Sequence, residues 1–248
     1  MKTAQDFKIE IPVLKYNDQI TKARQILRDD RFREIYVVDA KDRLLGYLDI
    51  TDGLRVTATK SNVTVEGFVK DAARVDPRDM IEPAAKTMRE FHTDSAAVVD
   101  AAGHVTGAIL LADLFPIIVT RNELHGLVSD HMTKKVASAD PAEPLQKICT
   151  MITESGFAAF PVIKKKKLIG IISRRDLINA RRKRSGTKGH THTTVEEVMI
   201  HECITIGPDE PLSAAADLLV KRDISMLPVV KDGALVGVIN RHDLVAAL

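Results

Sequence analysis

The chain has 248 residues, 36 Lys and Arg against 34 Asp and Glu, 45% apolar residues, few aromatics and no Trp. That length supports one large domain or two ordinary ones, around an aliphatic core of Ala, Val, Ile and Leu. No window approaches the roughly 20 apolar residues of a membrane helix, the N-terminus lacks the apolar run of a signal peptide, and Cys149 and Cys203 form neither a close pair nor a metal spacing, so a reduced cytoplasmic setting without membrane contact is expected.

In the first quarter, Ile9–Lys15 reads as a strand, Gln19–Arg28 as a helix, and Glu34–Asp39 and Leu44–Ile50 as a hairpin turning at Lys41-Asp42. The second follows with Ala73–Pro77, a helix over Glu82–His92, then Ser95–Asp100 and Val105–Leu111 about a turn at Ala102-Gly103. The third gives Val136–Pro141, a helix over Pro144–Glu154, and strands Phe157–Ile163 and Leu168–Ile172 joined by Lys164–Lys167. In the fourth, Glu202–Pro211 is a strand broken by Gly207-Pro208, and Asp209 is expected to cap a helix over Leu212–Arg222. Leu212, Ala215, Ala216 and Leu219 give that helix its buried stripe. Ile224–Val230 and Ala234–Ile239 then form a hairpin about Lys231-Asp-Gly233.

Every quarter therefore reads β-α-β-β-α, and each closes on the same phrase: Gly46…Asp52, Gly107…Asp113, Gly170…Asp176 and Gly237…Asp243, with the glycines 61, 63 and 67 residues apart. A glycine, a short apolar run and an aspartate six places on, four times over, is an internal repeat. Its fold class is α/β (α+β), with units at 1–60, 61–121, 122–184 and 185–248. Units of this size bury too little alone and should pair sheet against sheet. In Gly170-Ile-Ile-Ser173-Arg174-Arg175-Asp176 a strand runs into a turn that starts a helix, where free amide N–H groups can face an anion. Charge is uneven: residues 1–120 carry net −2, residues 121–190 net +9 and residues 191–248 net −5. An anionic partner for the third unit is the first inference.

The repeats resemble CBS domains. The resemblance rests on Leu227-Pro228-Val229-Val230, Phe160-Pro161-Val162, the glycine-to-aspartate phrases, and the leads Val198-Met199 and His131-Met132-Thr133. It implies two CBS-pair modules, which bind adenosyl ligands (AMP, ADP, ATP or S-adenosylmethionine) in two clefts related by a pseudo-twofold axis. The family pattern assigns ribose hydroxyls to an Asp, with a Ser or Thr three residues earlier. Ser173 and Asp176 match it, with Arg174 as a charge-assisted donor to phosphate. In the fourth repeat Asp243 matches, Asn240 replaces the hydroxyl residue, and Arg241 lies between. The base slot comes from the partner repeat in this family. That implies Ile204, Ile224, Ser225 and Met226 opposite Asp176, and Val136, Ala137, Phe157 and Ala158 opposite Asp243.

The first two repeats depart from the pattern. Asp49 and Leu110 stand at the hydroxyl position, and Arg33, Glu34, Thr93 and Asp94 at the wall, so these repeats are expected to be mainly structural. No metal site is expected from His190 and His192, and no Ser/His/Asp set, Walker loop or acid pair points to catalysis. The expectation is a regulatory protein, not an enzyme, sensing adenine nucleotide between the third and fourth repeats. Its modules would pair within one chain or in a homodimer and act on a regulated protein partner. The rivals are a nucleic-acid-binding protein using the basic surface of residues 164–188, or a scaffold with no ligand.

Overall fold

Apolar periods of two and of three to four alternate along the chain, and they become strands and helices in a computed structural model that describes residues 2–27, 33–49, 51–52, 62–155, 157, 159–184 and 193–248. The chain divides into two compact units, residues 1–124 with 245–248, and residues 125–244. The first unit runs α1 (Ala4–Phe7), β1 (Val13–Lys15), α2 (Ile20–Ile26), β2 (Glu34–Val38), β3 (Leu44–Asp49), a 3-10 turn (Val65–Phe68), β4 (Arg74–Val75), α3 (Ile81–Glu90), β5 (Ser95–Val99), β6 (Val105–Leu110) and α4 (Leu111–Arg121). The second runs α5 (Val128–His131), α6 (Leu145–Ser155), β7 (Ala159–Lys164), β8 (Lys167–Ser173), α7 (Arg174–Arg184), α8 (Leu212–Lys221), β9 (Met226–Lys231), β10 (Ala234–Asn240) and most of α9 (Arg241–Ala246), whose last two residues count with the first.

Helical spacing decides which face each helix buries. Ile81, Ala84, Ala85 and Met88 line one side of α3, and Leu212, Ala215, Ala216 and Leu219 one side of α8, the i, i+3, i+4, i+7 stripe of a half-buried helix. The N-cap of α8 is Pro211, not the expected Asp209. A proline has no N–H to leave unsatisfied there, and Asp209 instead pairs with Lys231 at 3.3 Å. The expected strands over 136–141 and 202–211 shrink to single parallel bridges, Ala139 to Val162 and Ile206 to Val229. Pro141 and Pro208 close by remove the N–H donors that would extend them.

In the first unit the sheets β1-β2-β3 and β4-β5-β6 share one plan, a parallel pair followed by an antiparallel hairpin. On β2, Ile35 and Val37 face the helices in one cluster with Leu14, Ile20 and Leu48. The alternate residue Tyr36 joins Tyr47, Ala72, Ala97 and Ala108 in a second cluster. Two tyrosines from one sheet thus fill the space left by alanines of the other. Both faces of each hairpin are buried, so the strands read as continuous apolar runs. The second unit has one four-stranded sheet, β7-β8-β10-β9, whose middle strands meet at Lys167 and Ala234.

The four repeated glycines have one steric reason. Each hairpin pairs a valine with its glycine: Val37 with Gly46, Val98 with Gly107, Val162 with Gly170 and Val229 with Gly237, each beside a bulge. Against each glycine lies the lead segment of the neighbouring repeat. Tyr47 bridges Lys70, Ala108 bridges Ile9, Ile171 bridges Ile200 and Val238 bridges Thr133. A Cβ on Gly46 would stand 2.1 Å from the Lys70 carbonyl oxygen, on Gly107 2.6 Å from that of Ile9, on Gly170 2.7 Å from that of Ile200, and on Gly237 2.9 Å from that of Thr133. The leads read from the sequence are therefore exchanged, each repeat's segment crossing its partner's hairpin.

The Gly46→Ala variant is expected to lose on the order of 1–3 kcal/mol of unfolding free energy through overpacking. Gly67→Ala, whose Cβ would meet no atom within 4 Å, should stay within about 0.5 kcal/mol of the parent. Paired urea denaturations of the two variants give the comparison.

Candidate functional site

A strand that ends in a polar residue and turns directly into a helix must satisfy its first N–H groups locally. At the end of β8, the Ser173 N–H donates to Asp176 Oδ2 at 2.8 Å and its hydroxyl to the same oxygen at 2.6 Å, while the Asp176 N–H lies 3.4 Å from Ser173 Oγ. At the end of β10, the Asn240 N–H donates to Asp243 Oδ2 at 2.9 Å and the Asp243 N–H returns to Asn240 Oδ1 at 3.0 Å. Both are reciprocal caps of the capping-box kind. Each holds a half-buried carboxylate at the mouth of a helix.

Of the expected wall residues, Phe157, Ser225 and Met226 are joined directly to these turns. Ala159 pairs with Ser173, and Met226 with Asn240, in the strand ladders. The Arg174 Nε–H donates to the Phe157 carbonyl at 3.3 Å, and the exposed Phe157 ring meets Phe160 edge-on at 6.2 Å. In the equivalent place the Arg241 N–H donates to the Ser225 carbonyl at 3.3 Å, and Arg241 Nη2 to Asp223 at 3.1 Å. Arg241 is buried, so its charge is directed at Asp223. Ile224, Ser225, Met226, Ile204 and Val136 are half-buried and Ala137 is exposed. These bonds join each motif to the wall loop of its own repeat. Ala158, His190 and His192 lie outside the described residues.

The first unit handles the same positions with ions. Lys70, from the exchanged lead segment, places its Nζ 3.1 Å from Asp49 and 2.8 Å from Asp52, and 5.7 Å from the centre of the Tyr47 ring. Asp52 is 1% exposed. Burial pushes its carboxyl up, against the opposing pull of Lys70. At the wall, Arg33 pairs with Asp94, the Asp94 N–H donates to Glu34 Oε1 at 3.0 Å, and the Ser95 hydroxyl donates to Glu34 Oε2 at 2.9 Å. The buried Tyr36 hydroxyl shares a 2.7 Å hydrogen bond with Ser95. Desolvation, then the neighbouring Asp94 charge, raises the Glu34 carboxyl to about 7. The sequence marked Arg33, Glu34, Thr93 and Asp94 only as polar wall positions. Opposite charges at matching places in two hairpins were the available signal that they bind one another.

Cys149 is buried among Leu145, Ile148 and Ile152, and burial pushes the Cys203 thiol up to about 11, away from nucleophilic chemistry. Among the described residues no three His, Cys, Asp or Glu converge on a metal position. No helix there is long and apolar enough to cross a membrane.

The family described as CBS domain matches residues 6–58, 128–183 and 195–248. Protein MJ1225 of Methanocaldococcus jannaschii is 27% identical over 98% of this chain and 96% of its own length. Its crystal structure superposes with a TM-score of 0.83 over 99% of both chains, at 20% identity. A conserved protein from Pyrococcus horikoshii has a TM-score of 0.68 over the whole of both chains at 21% identity. The CBS domain-containing protein YhcV of Bacillus subtilis is 32% identical over 47% of this chain and 81% of its own. At these identities the solved structures establish the fold alone.

Glu34 gives the first unit a pH dependence of known sign. Its folded value of about 7 lies above the ordinary 4.5, so folding takes up a proton between the two. The residue's contribution to stability is complete below about 4.5 and is lost as pH rises through about 7. Glu34→Gln should therefore match the parent near pH 4 and exceed it at pH 8 by on the order of 1–2 kcal/mol. Chemical denaturation at the two pH values measures the difference.

Proposed function

The chain belongs to the CBS-domain family, and from that premise we propose that it is a regulatory protein of four such repeats that binds adenine nucleotide in the second unit. The observation that carries this reading is the contrast between the two units. In the second, Asp176 and Asp243 stand at helix mouths whose capping residues Ser173 and Asn240 pair with Ala159 and Met226, small or apolar residues. In the first, Lys70 covers Asp52 together with Asp49, and an Arg33–Asp94–Glu34–Ser95 network occupies the wall.

The caps leave chemistry available. Ser173 engages one oxygen of Asp176, and a carboxylate offers roughly four lone-pair sites over its two oxygens. Ribose hydroxyls would donate to those remaining, the base would lie against the wall of the neighbouring repeat, and Arg174 and the exposed Arg175 would face phosphate. A ligand held by the motif of one repeat and the wall of the other binds one arrangement of the pair more tightly. It therefore shifts the population toward that arrangement, which a protein partner could read. Binding of this kind asks for no catalytic group, in keeping with a non-enzymatic role.

Asp176→Asn keeps an oxygen for the Ser173 cap but removes the charge that ribose hydroxyls seek. Loss of a charged acceptor is worth about 1.5–3 kcal/mol, roughly a tenfold to hundredfold rise in Kd for AMP, ADP or ATP. Calorimetry on the folded variant tests this, and unchanged affinity would remove Asp176 from the site.

Phosphate should add to affinity as well. ATP and ADP are expected to bind more tightly than adenosine through charge-assisted bonds, with the gap closing as salt screens them. S-adenosylmethionine carries a sulfonium that the arginines repel. Tighter binding of it, or of adenosine, at low salt would overturn the placement of Arg174 and Arg175 at the phosphate end.

A further inference from the structure

The hairpin of β7 and β8 turns through two residues, Lys165 and Lys166, between the paired Lys164 and Lys167. Both turn residues have left-handed backbone, φ 51° and 67°. Two-residue hairpins require this conformation and favour Asn, Asp or Gly for it. The matching turn of the fourth repeat obeys the preference with Asp232 and Gly233, at φ 52° and 80°. Lysine carries a Cβ that opposes the left-handed region, and two in succession raise the cost.

Nothing in the fold compensates. All four lysines are exposed, and among the described residues Lys165, Lys166 and Lys167 make no ion pair or side-chain hydrogen bond. Lys164 lies 3.6 Å from Glu196. The adjoining tip, brought alongside by the Lys167–Ala234 rung, contributes Asp232 and a Lys231 already paired with Asp209. The turn thus gives up local stability to hold three unneutralised ammonium groups together at one end of a four-stranded sheet.

We propose that this lysine hairpin is a docking tip for the phosphate backbone of duplex nucleic acid. Lysines are point charges suited to phosphate oxygens, and a duplex presents one phosphate charge per roughly 1.7 Å of its axis. The tip has no aromatic side chain on which unpaired bases could stack, which favours a duplex over a single strand. It has no exposed apolar residue to enter a lipid surface. Lys167 and Ser173 occupy opposite ends of β8, about 20 Å apart at strand rise, so this surface is independent of the nucleotide cleft.

The full-length double variant Lys165→Asn/Lys166→Gly separates the two consequences, because it installs a favoured turn while removing two charges. It should melt at a higher temperature than the parent. Its affinity for a short DNA duplex, followed by fluorescence anisotropy across a salt series, should fall. The slope of log affinity against log salt should become shallower by about 2, near one unit for each phosphate that a lysine no longer neutralises. Parent protein that fails to bind duplex overturns the proposal. So does a variant with the parent's affinity and salt slope, or one that is no more stable than the parent. Parent that binds anionic vesicles or polyglutamate in preference to duplex also overturns it, by assigning the tip to a membrane or an acidic protein.

Discussion

Four carbonyl oxygens pass closer to four glycines than a Cβ would allow, at 2.1 to 2.9 Å from where that atom would stand. This close approach holds the paired repeats together. Each lead segment leaves its own repeat, bridges the neighbour's returning strand by main-chain hydrogen bonds, and so makes neither repeat complete alone. The bulge before each glycine, with Leu45, Thr106, Ile169 and Val236 as the extra residues, bends the strand where the segment crosses. The glycines that mark the repeat in the sequence are thus required by backbone packing.

That shared frame leaves the surroundings of the helix-start carboxylates free to diverge. In the first unit the exchanged segment carries Lys70, whose ammonium lies between Asp49 and Asp52. The equivalent crossing residues of the second unit are Ile200 and Thr133, which bring no charge. One side chain on a segment needed for folding therefore neutralises the Asp49 and Asp52 carboxylates from within the fold. The Glu34 network acts in the same direction, since polar groups that satisfy one another across two strands leave less for a ligand to satisfy.

Asp176 and Asp243 show why capping and binding are compatible. Each cap engages Oδ2 of its aspartate, so the structural role leaves room for the binding role proposed for the same carboxylate. Arg241 departs further from its sequence reading. Burial against Asp223 makes it a tie between α9 and the loop before β9, so the third and fourth motifs are unequal in the cation each can offer an anion.

The repeat itself was legible from residues alone, because period-two and helical apolar patterns, with glycine and proline as punctuation, depend on local chemistry. Leu212, Ala215, Ala216 and Leu219 are buried as their spacing requires, and the hairpin turns at Asp42, Gly103, Lys165–Lys166 and Asp232–Gly233 have the left-handed backbone that tight reversal demands. The carboxylates at the helix starts were legible for the same reason. Only the tertiary structure decided what crosses each glycine, that Lys70 neutralises Asp49 and Asp52, and that Arg33 and Glu34 bind Asp94 and Ser95. These partners lie from 18 to 61 positions apart in the chain. No local propensity encodes such a meeting. It follows from the exchange of segments and the packing of one sheet on another, which bring together charges whose partners the sequence left unspecified.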